Sequence, residues 1–91
     1  MLIVISYDIE SNRTRTRLAK QLKNFGPRVQ RSVFEGDVGA AELEKLCLLL
    51  GRVKLGKDDS IRLYPICAAC ADKIEIWGCG EVTRDKDFYI A

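Results

Sequence analysis

The sequence predicts one α+β domain, residues 1–91, in which two helices lie on one face of a mainly antiparallel sheet. Three observations favour this class. Runs of apolar and β-branched residues predict strands, two segments between them carry apolar residues at helical spacing, and the elements follow the order β-α-β-α-β-β. A chain of 91 residues also suits a single domain, and no repeat or linker divides it.

The first strand is predicted over Leu2–Tyr7, where apolar and β-branched residues are almost continuous. Ser11 or Asn12 is expected to cap a helix that begins just after it. We expect Gly26-Pro27 to end this helix, because proline cannot continue it. The buried stripe follows the spacing i, i+4, i+7 and consists of Leu18, Leu22 and Phe25.

The second half of the pattern begins with one extended segment, Arg28–Glu35. Asp37 is the expected cap of a second helix, which ends at Gly51 and the turn 56–59. Its apolar residues at helical spacing are Leu43, Leu46, Cys47, Leu50 and Val53. The remaining extended segments are predicted at 60–66, 74–77 and 88–90.

Two helices cover one face of a sheet and leave the other face exposed. A second copy of the sheet is the simplest cover, so we expect a homodimer that packs through its sheets, with twofold symmetry. A chain of this length buries only about 60% of the surface that its unfolded form exposes, and association therefore adds stability.

The composition excludes several classes of protein. With 47% apolar and 31% charged residues, the chain is typical of folded soluble proteins rather than of disordered ones. No long apolar run predicts a transmembrane helix, and the start lacks the pattern of a signal peptide. We therefore expect a cytoplasmic protein without membrane association, whose four cysteines are reduced thiols.

The net charge of +2 hides an uneven distribution. Residues 11–31 contain seven basic residues and no acidic one, whereas the rest of the chain holds eight basic and thirteen acidic residues. This asymmetry predicts a basic face, the electrostatic signature of phosphate binding, although a solvated helix face gives the same pattern. The candidate nucleic-acid contacts are Arg13, Arg15, Arg17, Arg28 and Arg31.

The absence of histidine removes the commonest general base and the usual activator of a nucleophile. If the chain cleaves a phosphodiester, metal-activated water is the natural remaining route, and Mg²⁺ often takes only one or two carboxylates. Asp8, at the end of the first strand, is the candidate, although an aspartate there is more often a turn or capping residue. A twofold axis near Asp8 would let two copies share the cation. Weaker candidates beside predicted turns are Glu10, Glu35, Asp37, Asp58 and Asp59.

The cysteines include a C-x-x-C pair, Cys67 and Cys70. A zinc site needs about four ligands and would have to recruit Cys79 and Cys47. We place Cys47 on the buried face of the second helix, which argues against zinc. A redox role prefers such a pair at the N-terminus of a helix that follows a strand, a context that the sequence partly provides. The simpler interpretation is that the cysteines are small buried residues.

Several stretches together resemble a known family. Tyr7-Asp8-Ile9 closes the first strand, and QRSVFEG at 30–36 and DSIRLYPIC at 59–67 follow. Together they resemble the small CRISPR-associated protein two, which accompanies the CRISPR integrase in adaptation, from Met1 to about Gly78. Arg31 stands where that family often has an aromatic or small residue, and it adds positive charge.

The resemblance implies a ferredoxin-like fold and a homodimer, in which the tail at 80–91 pairs across the two copies. A ferredoxin-like order needs two strands before the second helix, which the Arg28–Val38 segment supplies only if it is bent into two pieces. The family is known both as metal-dependent nucleases acting on RNA or double-stranded DNA and as bridges between integrase dimers.

The family's catalytic, metal-binding aspartate falls on Asp8, next to Tyr7 as a supporting residue. Its helical arginines that handle nucleic acid fall on Arg15 and Arg17, a further arginine on Arg28, and a supporting aromatic residue on Phe34. We therefore expect a CRISPR adaptation homodimer that binds nucleic acid and integrase subunits. A Mg²⁺- or Mn²⁺-dependent endonuclease is a separate hypothesis, and a toxin-like endoribonuclease related to virulence-associated D proteins is the alternative.

Overall fold

The computed structural model describes residues 1–84. Its sheet has the order β2-β3-β1-β4, and all three pairs of neighbouring strands are antiparallel. The elements are β1 (Leu2–Asp8), α1 (Asn12–Leu22), β2 (Arg28–Gln30), β3 (Val33–Asp37), α2 (Ala40–Gly51), β4 (Ser60–Ile66) and the short α3 (Ala68–Ala71). This arrangement confirms the predicted α+β class, with a ferredoxin-like βαββαβ order.

The segment predicted as one strand over Arg28–Glu35 forms two strands, β2 and β3, which pair with each other. The chain turns between them at Ser32, whose φ of 63° lies in the left-handed region. Residues in this conformation are usually glycine or asparagine, so the serine did not indicate a turn in the sequence. The bend supplies the second strand that the ferredoxin-like order requires.

The strand predicted at 74–77 is wrong, because these residues are irregular in the structure. Ile76 and Trp77 are 44% and 83% exposed, so the alternating pattern does not reflect burial against this chain's sheet. An alternation of four residues forms a strand only where a sheet edge is available to pair with it. The extended piece predicted at 88–90, like residues 85–91 of the tail, lies outside the described residues.

β1 divides the molecule into two faces because its side chains alternate. Ile3, Ile5 and Tyr7 point toward α1 and α2, and Phe34 joins them from β3. The opposite side, which we call the open face, carries the alternate residues of three strands. Those residues are Val4, Ser6, Asp8, Val33, Glu35, Ser60, Arg62 and Tyr64. Nearly all of the buried core therefore lies between the sheet and the helices.

The start of α1 agrees with the sequence. The Ser11 hydroxyl accepts a hydrogen bond from the Thr14 backbone N–H at 3.2 Å, as an N-cap residue does. The helix ends at Leu22, earlier than the Gly26-Pro27 pair that was expected to end it. Gly26 serves another purpose, since a Cβ there would overlap the backbone carbonyl of Glu35.

Two expectations about α2 are wrong. Its N-cap is Gly39 rather than Asp37, whose carboxylate lies 3.1 Å from the amino group of Met1. Cys47 is exposed, whereas its neighbour Leu46 is fully buried. This part of the helix carries apolar residues on all of its faces, so periodicity alone did not identify the buried one.

After α3 the chain returns to the open face. The backbone N–H and hydroxyl of Thr83 both donate to the Glu35 carboxylate, at 3.4 and 2.9 Å. This covers one margin of the open face, while Tyr64 on the edge strand β4 stays 47% exposed. Among residues 1–84 no helix is long and apolar enough to cross a bilayer.

Candidate functional site

Asp8 is the last residue of β1 and is exposed on the open face, in register with Ser60 of β4. The preceding residue, Tyr7, points to the opposite side and is 5% exposed. Its ring stacks on that of Phe34 with 6.4 Å between centroids. The two residues predicted to support the site are therefore core residues that fix the end of the strand carrying Asp8.

The loop that follows Asp8 is held by Arg15 of α1. One terminal guanidinium nitrogen donates to the carbonyls of Ile9 and Glu10, at 2.6 and 2.7 Å. The other donates to the Asn12 side-chain oxygen at 3.0 Å. Because both hydrogens of the first nitrogen are used, Arg15 acts first as a brace for the β1–α1 loop.

Asp59 holds the same loop from the other side. Its carboxylate accepts hydrogen bonds from the backbone N–H of Glu10 at 2.9 Å and of Gly56 at 2.7 Å. These bonds lower the pKa of Asp59 below its ordinary value of 3.8, and the bond from Glu10 has the larger effect. The turn before β4 is thereby tied to the loop after β1, across 49 residues of sequence.

Three of the predicted arginines meet in one cleft, which lies between α1 and the β2–β3 hairpin and has a volume of about 240 Å³. Arg15 comes from α1, while Arg28 and Arg31 come from the hairpin. No acidic side chain lines the cleft, which makes it a suitable place for a phosphate. Its remaining lining residues are Tyr7, Asn12, Thr16, Ala19 and Ser32.

The other two arginines lie elsewhere. Alternate helical positions are about 200° apart around the axis, so Arg13 and Arg17 share a side of α1 that Arg15 does not. Arg17 lines a groove between α1 and α2 with Lys45, Arg52 and Lys54. The basic residues that form one run in the sequence therefore form two surfaces in the fold.

The residues of one chain do not by themselves enclose a metal ion near Asp8. In the described part of the chain, no three His, Cys, Asp or Glu side chains lie close enough to hold one. A Mg²⁺ ion at Asp8 would need further oxygen atoms from a second chain, water or a substrate phosphate. Three weaker candidates already have structural partners: Glu35 with Thr83, Asp37 with Met1, and Asp59 with Glu10 and Gly56.

Two residues at this end of the sheet, Arg62 and Ser32, were not predicted as site residues. Arg62 lies on the open face opposite Ser6, and a hydrogen bond with the Tyr64 side chain raises the pKa of its guanidinium. Ser32 lines the cleft, and its carbonyl accepts a bond from the Tyr7 N–H at 3.1 Å. The alternation of Ser60, Arg62 and Tyr64 in β4 was the one local signal available.

The first prediction concerns pH. The lowered pKa means that Asp59 binds its proton more weakly in the folded protein than in the unfolded chain. The stability that its carboxylate contributes is therefore present above the unfolded pKa and is lost as the pH falls through the folded pKa. We expect Asp59→Asn to lower the free energy of unfolding near neutral pH, and this deficit to shrink below pH 3.8. Urea unfolding at a series of pH values measures it.

Asp58→Asn is the matched control, because Asp58 lies in the same turn and is exposed, and the structure gives it no hydrogen bond. We expect this variant to follow the parent at every pH. A deficit for Asp59→Asn that is the same at neutral and acidic pH would contradict the role given to its carboxylate.

The second prediction separates the arginines of α1. Removing Arg15 leaves the Ile9 and Glu10 carbonyls without their donor, so Arg15→Ala should lower the free energy of unfolding by about 1–3 kcal/mol. Arg17→Ala should change it by less than about 0.5 kcal/mol, as exposed surface substitutions do. Denaturant unfolding at one protein concentration compares them, and equal stabilities would show that Arg15 braces nothing.

Comparison with known proteins identifies the family. The sequence model of the family described as CRISPR associated protein Cas2 matches residues 1–74. The CRISPR-associated endoribonuclease Cas2 1 of Chloroflexus aurantiacus is 39% identical over 92 residues, which cover 99% of this chain and 99% of that protein. The CRISPR-associated endonuclease Cas2 2 of Thermus thermophilus is 37% identical over 89 residues, which cover 98% and 94%.

The fold gives the same result. The crystal structure of Streptococcus pyogenes Cas2 at pH 6.5 superposes with a TM-score of 0.72 at 30% sequence identity, over 86% of this chain and 100% of that one. Sequence and structure agree with the resemblance carried by the Tyr7-Asp8-Ile9 and QRSVFEG stretches. The chain belongs to the Cas2 family of CRISPR-associated proteins.

Proposed function

We propose that the chain acts in CRISPR adaptation as a homodimer that binds nucleic acid and bridges integrase subunits. The observation that carries this proposal is the arrangement at one end of the sheet. There Asp8 ends β1 with an exposed carboxylate, and the residue before it, Tyr7, lines the cleft that contains three arginines. Membership of the Cas2 family supports the CRISPR-associated part of the role.

The open face supports the homodimer. Tyr64, Val4 and Ile66, with Cys67 and Cys70 at one end, contribute to a wide apolar depression on the side of the sheet opposite α1 and α2. A second sheet packed about 10 Å away would remove this area from water, which stabilises by about 25 cal/mol per Å². Thr83 already lies on one margin of the face. We propose that the tail at 80–91 continues from there and pairs across the dimer.

A twofold dimer would also supply the geometry of a bridge. Every surface of one protomer is repeated in its partner, so a single dimer presents two equivalent sites for integrase subunits. The same symmetry doubles the basic clefts and lets them contact one continuous duplex at two places. Bridging and nucleic-acid binding are therefore consequences of the same proposed dimer.

Nucleic-acid binding is proposed for the cleft formed by Arg15, Arg28 and Arg31. Guanidinium groups bind phosphate oxygens without distinguishing bases, which suits a protein that accepts fragments of any sequence. Arg15 has already committed three N–H groups to the loop, so Arg28 and Arg31 carry more of the available donors. The exposed Arg13 and Arg17 extend the positive potential to the other side of α1.

A separate proposal is that the dimer is a Mg²⁺- or Mn²⁺-dependent endonuclease. If the twofold axis passes near Asp8, the two carboxylates supply the ligands that one chain lacks. A bound divalent cation lowers the pKa of water and neutralises charge on the phosphate. The arginines of the cleft would hold the flanking phosphates in place. The relatives carry the names endoribonuclease and endonuclease, so we propose RNA and double-stranded DNA as the substrates to compare.

The alternative function is a toxin-like endoribonuclease related to virulence-associated D proteins. The chain belongs to the Cas2 family, which favours the CRISPR role. An integrase gene and a repeat array beside the coding sequence would favour it further, whereas a neighbouring antitoxin gene would favour the toxin.

The third prediction tests the nuclease. Purified full-length chain is incubated with labelled single-stranded RNA or double-stranded DNA and Mg²⁺, Mn²⁺ or a chelator. We expect metal-dependent cleavage that falls by at least about 100-fold in Asp8→Asn, since the variant keeps the shape of the side chain and loses its charge. Asp58→Asn, which changes another exposed aspartate, should cleave like the parent.

The outcomes separate the two proposals. Equal cleavage by Asp8→Asn and the parent would overturn the role of Asp8. A parent that cuts neither substrate would overturn the nuclease proposal. If that parent still binds duplex DNA in a salt-sensitive way, the bridging role stands on its own.

The fourth prediction tests the cleft. Each phosphate contact contributes about 0.9 to the slope of log K against log salt concentration. The double variant Arg28→Gln/Arg31→Gln should therefore bind duplex DNA more weakly and reduce that slope by about 2. Lys73→Gln, an exposed cation beyond α3, is the control and should leave the slope unchanged. Equal slopes for all three proteins would exclude the cleft as the contact.

A further inference from the structure

The C-x-x-C pair is used neither by the core nor by the proposed nucleic-acid site. Cys67 and Cys70 lie where β4 passes into α3, and both are exposed, so their interpretation as small buried residues is wrong. β4 begins opposite Asp8 and ends at Ile66, so the pair is roughly 20 Å from Asp8 at about 3.3 Å per residue. Any chemistry of the two thiols is therefore spatially separate from the candidate active site.

The local geometry makes the two cysteines neighbours on one helical turn. The Ala71 N–H donates to the Cys67 carbonyl at 2.8 Å, which closes a helical turn around the pair. Residues three apart on such a turn are neighbours, with Cβ atoms about 5–6 Å apart, and a modest backbone adjustment of the turn brings them to the roughly 4 Å of a disulfide. Both cysteines line the shallow apolar depression that also contains Val4 and Tyr64.

The two thiols differ in acidity. Hydrogen bonds from Cys70, from its backbone N–H first and its thiol second, lower the pKa of Cys67. A hydrogen bond with the Cys67 side chain and the charge of that side chain raise the pKa of Cys70. Cys67 is thus more readily ionised than Cys70, an asymmetry typical of dithiols that undergo thiol–disulfide exchange.

We propose that Cys67 and Cys70 form a redox dithiol site that reacts with low-molecular-weight disulfides to give a reversible intramolecular disulfide. The Cys67 thiolate attacks one sulfur of the disulfide, which forms a mixed disulfide and releases the first thiolate. Cys70 then loses its proton and attacks the Cys67 sulfur, which releases the second thiolate. Two electrons pass from the cysteine pair to the small disulfide, which becomes two thiols.

This inference requires neither Asp8 nor a second copy of the chain. Both cysteines line the depression that the proposed dimer covers, so the reaction takes place in the monomer or at an open margin of the dimer. The protein itself provides controls, since Cys47 and Cys79 are also exposed and the structure places no second cysteine in hydrogen bonding with either. They report how an unassisted surface thiol of this chain reacts. In a reducing compartment the pair rests as thiols and responds to oxidation.

The test uses the full-length chain in mixtures of reduced and oxidised glutathione, followed by acid quenching, alkylation of free thiols and mass spectrometry of the peptides. We expect a linked Cys67–Cys70 pair to form at oxidant ratios at which Cys47 and Cys79 remain largely free. Cys70→Ser should instead accumulate a glutathione adduct on Cys67. In Cys67→Ser the adduct on Cys70 should form no faster than those on Cys47 and Cys79, because Cys70 does not receive the hydrogen bonds that lower the pKa of Cys67.

The double variant Cys47→Ser/Cys79→Ser should keep the same redox midpoint as the parent. The proposal is overturned if Cys67 and Cys70 react no faster than the two control cysteines, or if they become separately glutathionylated without linking. It is also overturned if the purified chain retains zinc that a chelator must remove before the thiols react, since the pair would then be metal ligands.

Discussion

β1 is hydrogen-bonded along both edges, and the positions of the other elements depend on it. Its seven residues pair with β4 over their whole length and with β3 over most of it. Because a strand alternates its side chains, this one element supplies both the buried Ile3, Ile5 and Tyr7 and the open-face Asp8. A slip of one residue would exchange the two sets, so the register that fixes the core also fixes the candidate carboxylate.

The end of β1 is held by polar contacts from distant parts of the sequence. Arg15 binds the carbonyls after the strand, and Asp59 binds the Glu10 N–H of the same loop. The Tyr7–Phe34 stack fixes the strand from the core side. Rigid support of this kind is what a strand-end carboxylate needs if it is to meet a cation and a phosphate in a defined geometry.

The two faces of the sheet have unequal cover. Helices α1 and α2 bury one side, whereas the open face receives only the short stretch around Thr83 in the described part of the chain. The proposed dimer, the proposed shared metal site and the proposed bridge all follow from covering this face with a second copy. The cysteine pair lies at the opposite end of β4, so the proposed redox chemistry would be spatially separate from the proposed phosphate binding.

The sequence by itself determined the features that depend on near neighbours. A nearly continuous apolar and β-branched run specified β1, the alternation of Ile61 and Leu63 with Ser60, Arg62 and Tyr64 specified β4, and the Ser11 side chain specified the start of α1. The basic run between 11 and 31 predicts a polyanion as partner. Only the tertiary structure decided the rest. The turn at Ser32, the exposure of Cys47 and the division of the arginines between two surfaces depend on contacts between segments far apart in the chain. Local periodicity does not reveal those contacts. Packing against a distant element decides which helix face is buried and where the chain turns, and the local sequence is compatible with more than one outcome.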